Sequence, residues 1–149
     1  MDKLNQKHQK LVQALATLEK ALNFFTLFTK EGKSHNPHMN YEEEYRLHRD
    51  SVTQRFEYST DLFWKYLKKY LETVHIMSGI KIPGEVVREC HSVEILNADE
   101  TEQILKMIKD RNLTSHIYIE EIAEELSSRI PGYYRVMHDV TERLIPKKD

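Results

Sequence analysis

Two long stretches of helical periodicity constrain this chain more than any other feature. From Leu4 to Phe25 the apolar residues are Leu4, Leu11, Leu15, Leu18, Leu22 and Phe25, spaced by alternating threes and fours, with His8 standing in the one gap. That spacing lays them along one side of an amphipathic helix with a bundle-type seam. A second stretch runs from about Asp50 to His75. Val52, Phe56, Phe63, Tyr66, Tyr70 and Val74 make its stripe, and Leu62, Trp64, Leu67 and Leu71 widen it. A helix apolar over more than one face lies at the centre of its bundle or meets a second subunit.

The rest of the chain agrees. Among 149 residues there are only four Gly and four Pro, against 40% hydrophobic and 31% charged residues. So few turn formers imply few connections, and no alternating strand pattern flanked by hairpin turns is present. The reading is an all-α, antiparallel up-and-down bundle of about four to five helices in a single domain over residues 1–149. Residues 30–49 read as a connector or insert, broken by Gly32, Asn36 and Pro37. Within it "YEEEYRLH" suits either an acidic helical turn or a mobile arm. Asp50 or Ser51 is placed to cap the second helix. Pro83 suits the first turn of a short helix ending near His91. Asp99 with Glu102 suits a capping box for the next. A final helix begins near Ile119, is expected to kink or break at Pro131–Gly132, and resumes to about Leu144. Residues 145–149 read as a frayed end.

Several classes are disfavoured. No run of about 18 apolar residues exists, so no membrane span is expected, and "MDKLNQKHQK" is too polar for a secretory signal. The single cysteine, Cys90, cannot form an internal disulfide and fits a reducing cytoplasm. The formal charge of −2 argues against a broad basic surface, so any role on RNA must rest on a local site or a paired surface.

The junction "KDRNLTSHIY" carries the chemistry. It offers Arg111, Asn112, His116 and Tyr118 where an ordinary connector would hold Gly, Asn or Pro. On an ideal helix Arg111 and His116 would diverge by about 140°, whereas Tyr118 would lie about 20° from Arg111. Arg111 and His116 therefore converge only if the helix loosens after Leu113 or a symmetry mate brings a second copy across. A guanidinium suits bidentate contact with phosphate. An imidazole can take a proton from a ribose 2′-hydroxyl or give one to a leaving 5′-oxygen near neutral pH. Together they equip metal-independent RNA cleavage, with Asn112 positioned to bond the phosphate or orient His116. The same residues also suit a plain helix end, where basic side chains answer the dipole.

"DRNLTSHIY", with "RDSVTQRFEYSTDLFWKYLKKYLE" upstream and "EEIAEEL" downstream, resembles the bacterial nucleotidyltransferase substrate-binding family within the HEPN superfamily, which includes HepT-like toxins. The likeness runs from about Arg49 to Glu125. The family motif of Arg, a polar residue, three further positions, His, any residue and Tyr falls on Arg111, Asn112, His116 and Tyr118. The resemblance implies a homodimeric helical bundle whose paired motifs flank one cleft. It further implies a metal-independent endoribonuclease toxin that needs no cofactor, neutralised by a minimal nucleotidyltransferase antitoxin (MntA-like) that transfers AMP to Tyr118. The alternative within the family is a non-catalytic subunit that presents substrate to the transferase. A plain helical interaction module is the third reading.

Other features constrain function less. Glu57, on a face crowded with aromatics, is either an orienting partner for Arg111 or a surface carboxylate paired locally. His35 and His38 in "HNPH" have chelating spacing but no completing ligands, so no metal site is assigned. His8, His48, His75, His91 and His138 are expected to face solvent. The aromatic run of the second helix reads as core or dimer packing before base stacking.

Overall fold

The computed structural model describes residues 2–147, which form five α-helices and one 3₁₀ turn with no strand among them. Helix α1 spans Asp2–Glu31, α2 Tyr41–Val74, α3 Pro83–Ser92, α4 Ala98–Arg111 and α5 Glu120–Arg143. The 3₁₀ turn, Asn112–His116, follows directly on α4.

Helix α2 is the central element and touches each of the other four helices. Its stripe explains this: Val52, Phe56, Phe63, Tyr66, Leu67 and Leu71 are buried, while Tyr70 is half-buried and Val74 exposed. Against it pack Leu4, Leu11, Leu15 and Leu18 of α1 and Leu126, Ile130, Met137 and Val140 of α5. Side-chain pairs give the directions. Phe25 meets Tyr45 and His8 meets Tyr66, so α1 and α2 run antiparallel. Arg49 bonds Glu120 and Tyr66 bonds the Leu144 carbonyl, so α2 and α5 run parallel. Asp110 meets Arg129 and Glu100 meets Arg143, which sets α4 antiparallel to α5.

Helix boundaries depart from the sequence reading. The second helix begins at Tyr41, so Tyr41–Arg49 are its first turns, and Asp50 and Ser51 lie inside it. The cap is Asn40: its side chain accepts from the Glu43 N–H at 2.9 Å, and the Glu43 carboxylate accepts the Asn40 N–H at 3.2 Å. Likewise α4 is capped by Asn97 with Glu100, and Asp99 and Glu102 are ordinary helical residues. Both boxes satisfy N–H groups that a helix start leaves free. The first helix continues to Glu31, ended by Gly32 in the left-handed region at φ 66°, where a side chain would strain the backbone.

The break expected at Pro131–Gly132 does not occur, and α5 is continuous. Pro131 removes one helical hydrogen bond. Its neighbours Leu126, Ile130, Tyr133 and Met137 are buried on the core side, and that packing holds the helix together across the gap. Residues 145–147 follow α5 without regular structure, and the remainder of the expected tail lies outside the described residues. No helix among the described residues is long and apolar enough to cross a membrane.

Histidines expected in solvent divide. His75, His91 and His138 are exposed. His8 is half-buried, bonds the Thr141 carbonyl oxygen at 3.2 Å and lies over Tyr66, because its place in the α1 seam faces α5. His48 is half-buried against Phe28, ring centroids 4.7 Å apart.

Candidate functional site

The site is built where α4 ends. The helix loosens two residues before the expected point: α-geometry stops at Arg111 and the next five residues wind as 3₁₀. Leu113 and Ile117 pack on the core and Thr114 is buried, so one side of the junction anchors it. Asn112, Ser115, His116 and Tyr118 are left exposed, Tyr118 by 79%. The rings of His116 and Tyr118 lie 6.2 Å apart.

Arg111 points the other way, towards α2. Its Nε and Nη2 donate to the two oxygens of Asp61, both at 2.9 Å, in a bidentate fork. Nη2 also lies 3.3 Å from a Glu57 oxygen, and Nη1 donates to the Thr114 hydroxyl at 3.3 Å. The Asp61 carboxylate, with Glu57 behind it, holds the guanidinium even more firmly protonated than usual. Arg111 nevertheless keeps 28% of its side-chain surface open. No hydrogen bond joins Arg111 to His116 among the described residues. Within one chain, therefore, Arg111 meets Glu57, His116 meets Tyr118, and Asn112 stands free on the surface of the turn.

Two further ion networks grip the junction from either side. Asp110, buried beside Arg111, accepts from Arg129 Nε at 2.7 Å and from the Tyr133 hydroxyl. Burial first, and then that bond, pushes the Tyr133 phenol well above its usual range. On the other side of Tyr118, the start of α5 is pinned to α2. Arg49, only 2% exposed, donates to Glu120 at 2.8 Å and to Glu124 at 3.0 Å, and its Nε donates to Asp50 at 3.1 Å. Burial works against the Arg49 charge, but Glu120, Glu124 and Asp50 together keep it protonated. The Tyr45 hydroxyl adds a bond to Glu124 at 2.8 Å. The segment from Asn112 to Ile119, with Asn112, Ser115, His116 and Tyr118 exposed, is thus held between two fixed points.

Asp61, Asp110 and Arg49 are the residues that sequence reasoning missed. A signal existed for Asp61, which sits four residues after Glu57 and so shares its helix face. Arg49 gave none, because its burial depends on α5.

His35, in the connector between α1 and α2, packs edge-on to Phe28 and pairs with Glu31, while His38 is exposed. The buried carboxylate there is Glu44, which accepts from the Ser34 hydroxyl at 2.7 Å and the His35 N–H at 2.9 Å. That segment of α2, ambiguous in sequence, therefore clasps the connector.

The fold is a five-helix bundle with Arg111, His116 and Tyr118 at the junction of its last two helices. The chain belongs to the family described as nucleotidyltransferase substrate binding protein like, whose family model matches residues 6–145. A solved structure from Thermus thermophilus is similar, with 33% sequence identity over 91% of this chain and 99% of that one, at a TM-score of 0.71. No curated protein matches the chain.

Proposed function

We propose that this protein is a HepT-like HEPN endoribonuclease that acts as a homodimer, cleaves RNA without a metal, and is silenced by AMP transfer to Tyr118. In this reading the two copies face their 3₁₀ turns across one cleft. Arg111 steadies the scissile phosphate, and His116 takes the proton from the ribose 2′-hydroxyl. The 2′-oxygen attacks phosphorus, the 5′-oxygen leaves and is protonated by the second copy's imidazole, and a 2′,3′-cyclic phosphate remains. Asn112 bonds the phosphate, and Glu57 together with Asp61 fixes the guanidinium. The observation that carries this reading is the anchored 3₁₀ turn, which leaves the His116 imidazole and the Tyr118 phenol open to solvent while the partly open Arg111 guanidinium faces α2, so that the two meet one phosphate only across two copies. The partner is a minimal nucleotidyltransferase antitoxin. The Tyr118 oxygen attacks the α-phosphate of ATP on that enzyme, pyrophosphate leaves, and the adduct puts charge and bulk in the way of an RNA phosphate.

The test is cleavage of single-stranded RNA by purified protein in EDTA. Wild type is expected to cut, and His116→Ala to lose about 10²–10⁴-fold in rate. Tyr118→Phe is expected to abolish the mass gain of one or more AMP units on incubation with the transferase and ATP, leaving thermal stability within about 0.5 kcal/mol. A second reading is favoured by the acidic clasp on Arg111. A guanidinium already forked to Asp61 suits a non-catalytic subunit that presents substrate to the transferase. Failure of the wild type to cut any RNA, with no growth defect on expression, would decide for that subunit.

A further inference from the structure

An open cleft of about 630 Å³ lies between α4 and α5, its nearest α4 residue, Lys106, five positions before Arg111. Because these helices run antiparallel, its lining is ordered by charge. Arg129 and Gly132 form the end nearest the motif, Lys106 and Arg135 the middle, and Glu100 with Asp139 the far end. Arg129 is engaged by Asp110, and Glu100 by Arg143. Lys106 and Arg135 make no ion pair among the described residues, and both are exposed. The middle of the cleft is therefore locally basic in a chain whose formal charge is −2.

Gly132 is the second observation. It sits exposed in the interior of a long helix, where glycine is a poorer former than alanine. Its backbone lies outside the left-handed region, and a Cβ built there would meet nothing within 4 Å. Neither the backbone conformation nor packing within this chain calls for glycine. What the missing side chain does provide is a bare stretch of helix, open to close approach, on the wall of a basic cleft.

We infer that this cleft carries the phosphate backbone of the RNA strand as it leaves the Arg111–His116 site, with Lys106 and Arg135 on successive phosphates and the strand passing over Gly132. The inference rests on the RNA reading above. Lys106 stands about 7.5 Å along α4 from Arg111 and about 140° round its axis, on the side turned away from α2, so the strand reaches it from His116 rather than from the guanidinium. Asp139 repels the strand at the far end and turns it out to solvent, while Glu100 stays paired with Arg143.

The experiment measures anisotropy of labelled single-stranded RNA on full-length His116→Ala protein, across a range of salt. Added Lys106→Ala or Arg135→Ala is expected to weaken binding about 3–10-fold and to lower the salt slope by about 0.7, as loss of one single-strand phosphate contact requires. Added Gly132→Ala is expected to raise the melting temperature while weakening RNA binding several-fold. That opposition of sign separates a contact from a folding defect. Lys20→Ala, on α1, is the control and leaves affinity unchanged. Binding by His116→Ala that ignores all three cleft substitutions overturns the cleft and leaves the RNA reading intact. So does a change in sedimentation without one in affinity, which would assign the cleft to contact between copies. No RNA binding at any salt overturns both.

Discussion

Replacing Asp61 by Asn tests what holds the motif arginine. The carboxylate makes two charge-assisted bonds to Arg111 at 2.9 Å, with side-chain exposures of 28% for Arg111 and 35% for Asp61. At an effective dielectric near 20, opposite charges about 4 Å apart attract by about 4 kcal/mol. Most of this is offset by desolvation, side-chain ordering and screening at so open a site, as with exposed pairs generally. Bidentate geometry moves the net value above the surface median, to about 1–2 kcal/mol. Asn is nearly isosteric, yet its amide turns an N–H group towards a guanidinium N–H, so one of the two bonds is lost. Glu57, 3.3 Å from Nη2, remains to hold Arg111 in part. The expected outcome is a loss of about 1–1.5 kcal/mol in urea denaturation, or about 2–6 °C in melting temperature. On the ribonuclease proposal, RNA cleavage is expected to fall about tenfold, because a loosened guanidinium meets the phosphate less often. A double-mutant cycle with Arg111→Met should return a coupling of about 1 kcal/mol. Coupling near zero, together with unaltered cleavage, would show that the fork neither stabilises the fold nor positions the cation.

Arg49→Ala is expected to cost about 3 kcal/mol in urea denaturation, the low end for a buried ion pair, because the stranded Glu120 and Glu124 are half-exposed and rehydrate. Arg49→Met should recover more than half of this, since its stem refills the buried space. A loss equally large for Met would place the effect in charge alone. Burial pushes the Cys90 thiol from 9.0 up to about 12. The folded state favours the neutral thiol, so its contribution to stability is full below pH 9 and is lost as pH rises through about 12. Native protein at pH 8 should accordingly resist a disulfide reagent that labels Cys90 fully in 6 M guanidinium.

Much of the architecture was legible because helical period and burial are the same fact in α1 and α2. A seam spaced by threes and fours has one way to leave water. The short helix at Pro83 and the junction at Arg111 were legible for similarly local reasons, a fixed φ in one case and a run of polar residues in the other. Caps were misplaced because Asp50, Ser51 and Asp99 are as acceptable in isolation as Asn40 and Asn97. What separates them is where the chain turns. The expected break at Pro131 failed because propensity within α5 is outweighed by packing of its flanking residues on the core.

The chain order thus dictated an all-helical bundle and set Arg111, His116 and Tyr118 within eight residues of each other. Only the folded arrangement decided that Arg111 turns to Asp61 on α2 while His116 and Tyr118 face solvent. Those partners lie 50 residues away in sequence, as Glu120 does from Arg49 at a separation of 71. No local pattern encodes a contact whose two halves are brought together by the burial of quite different residues.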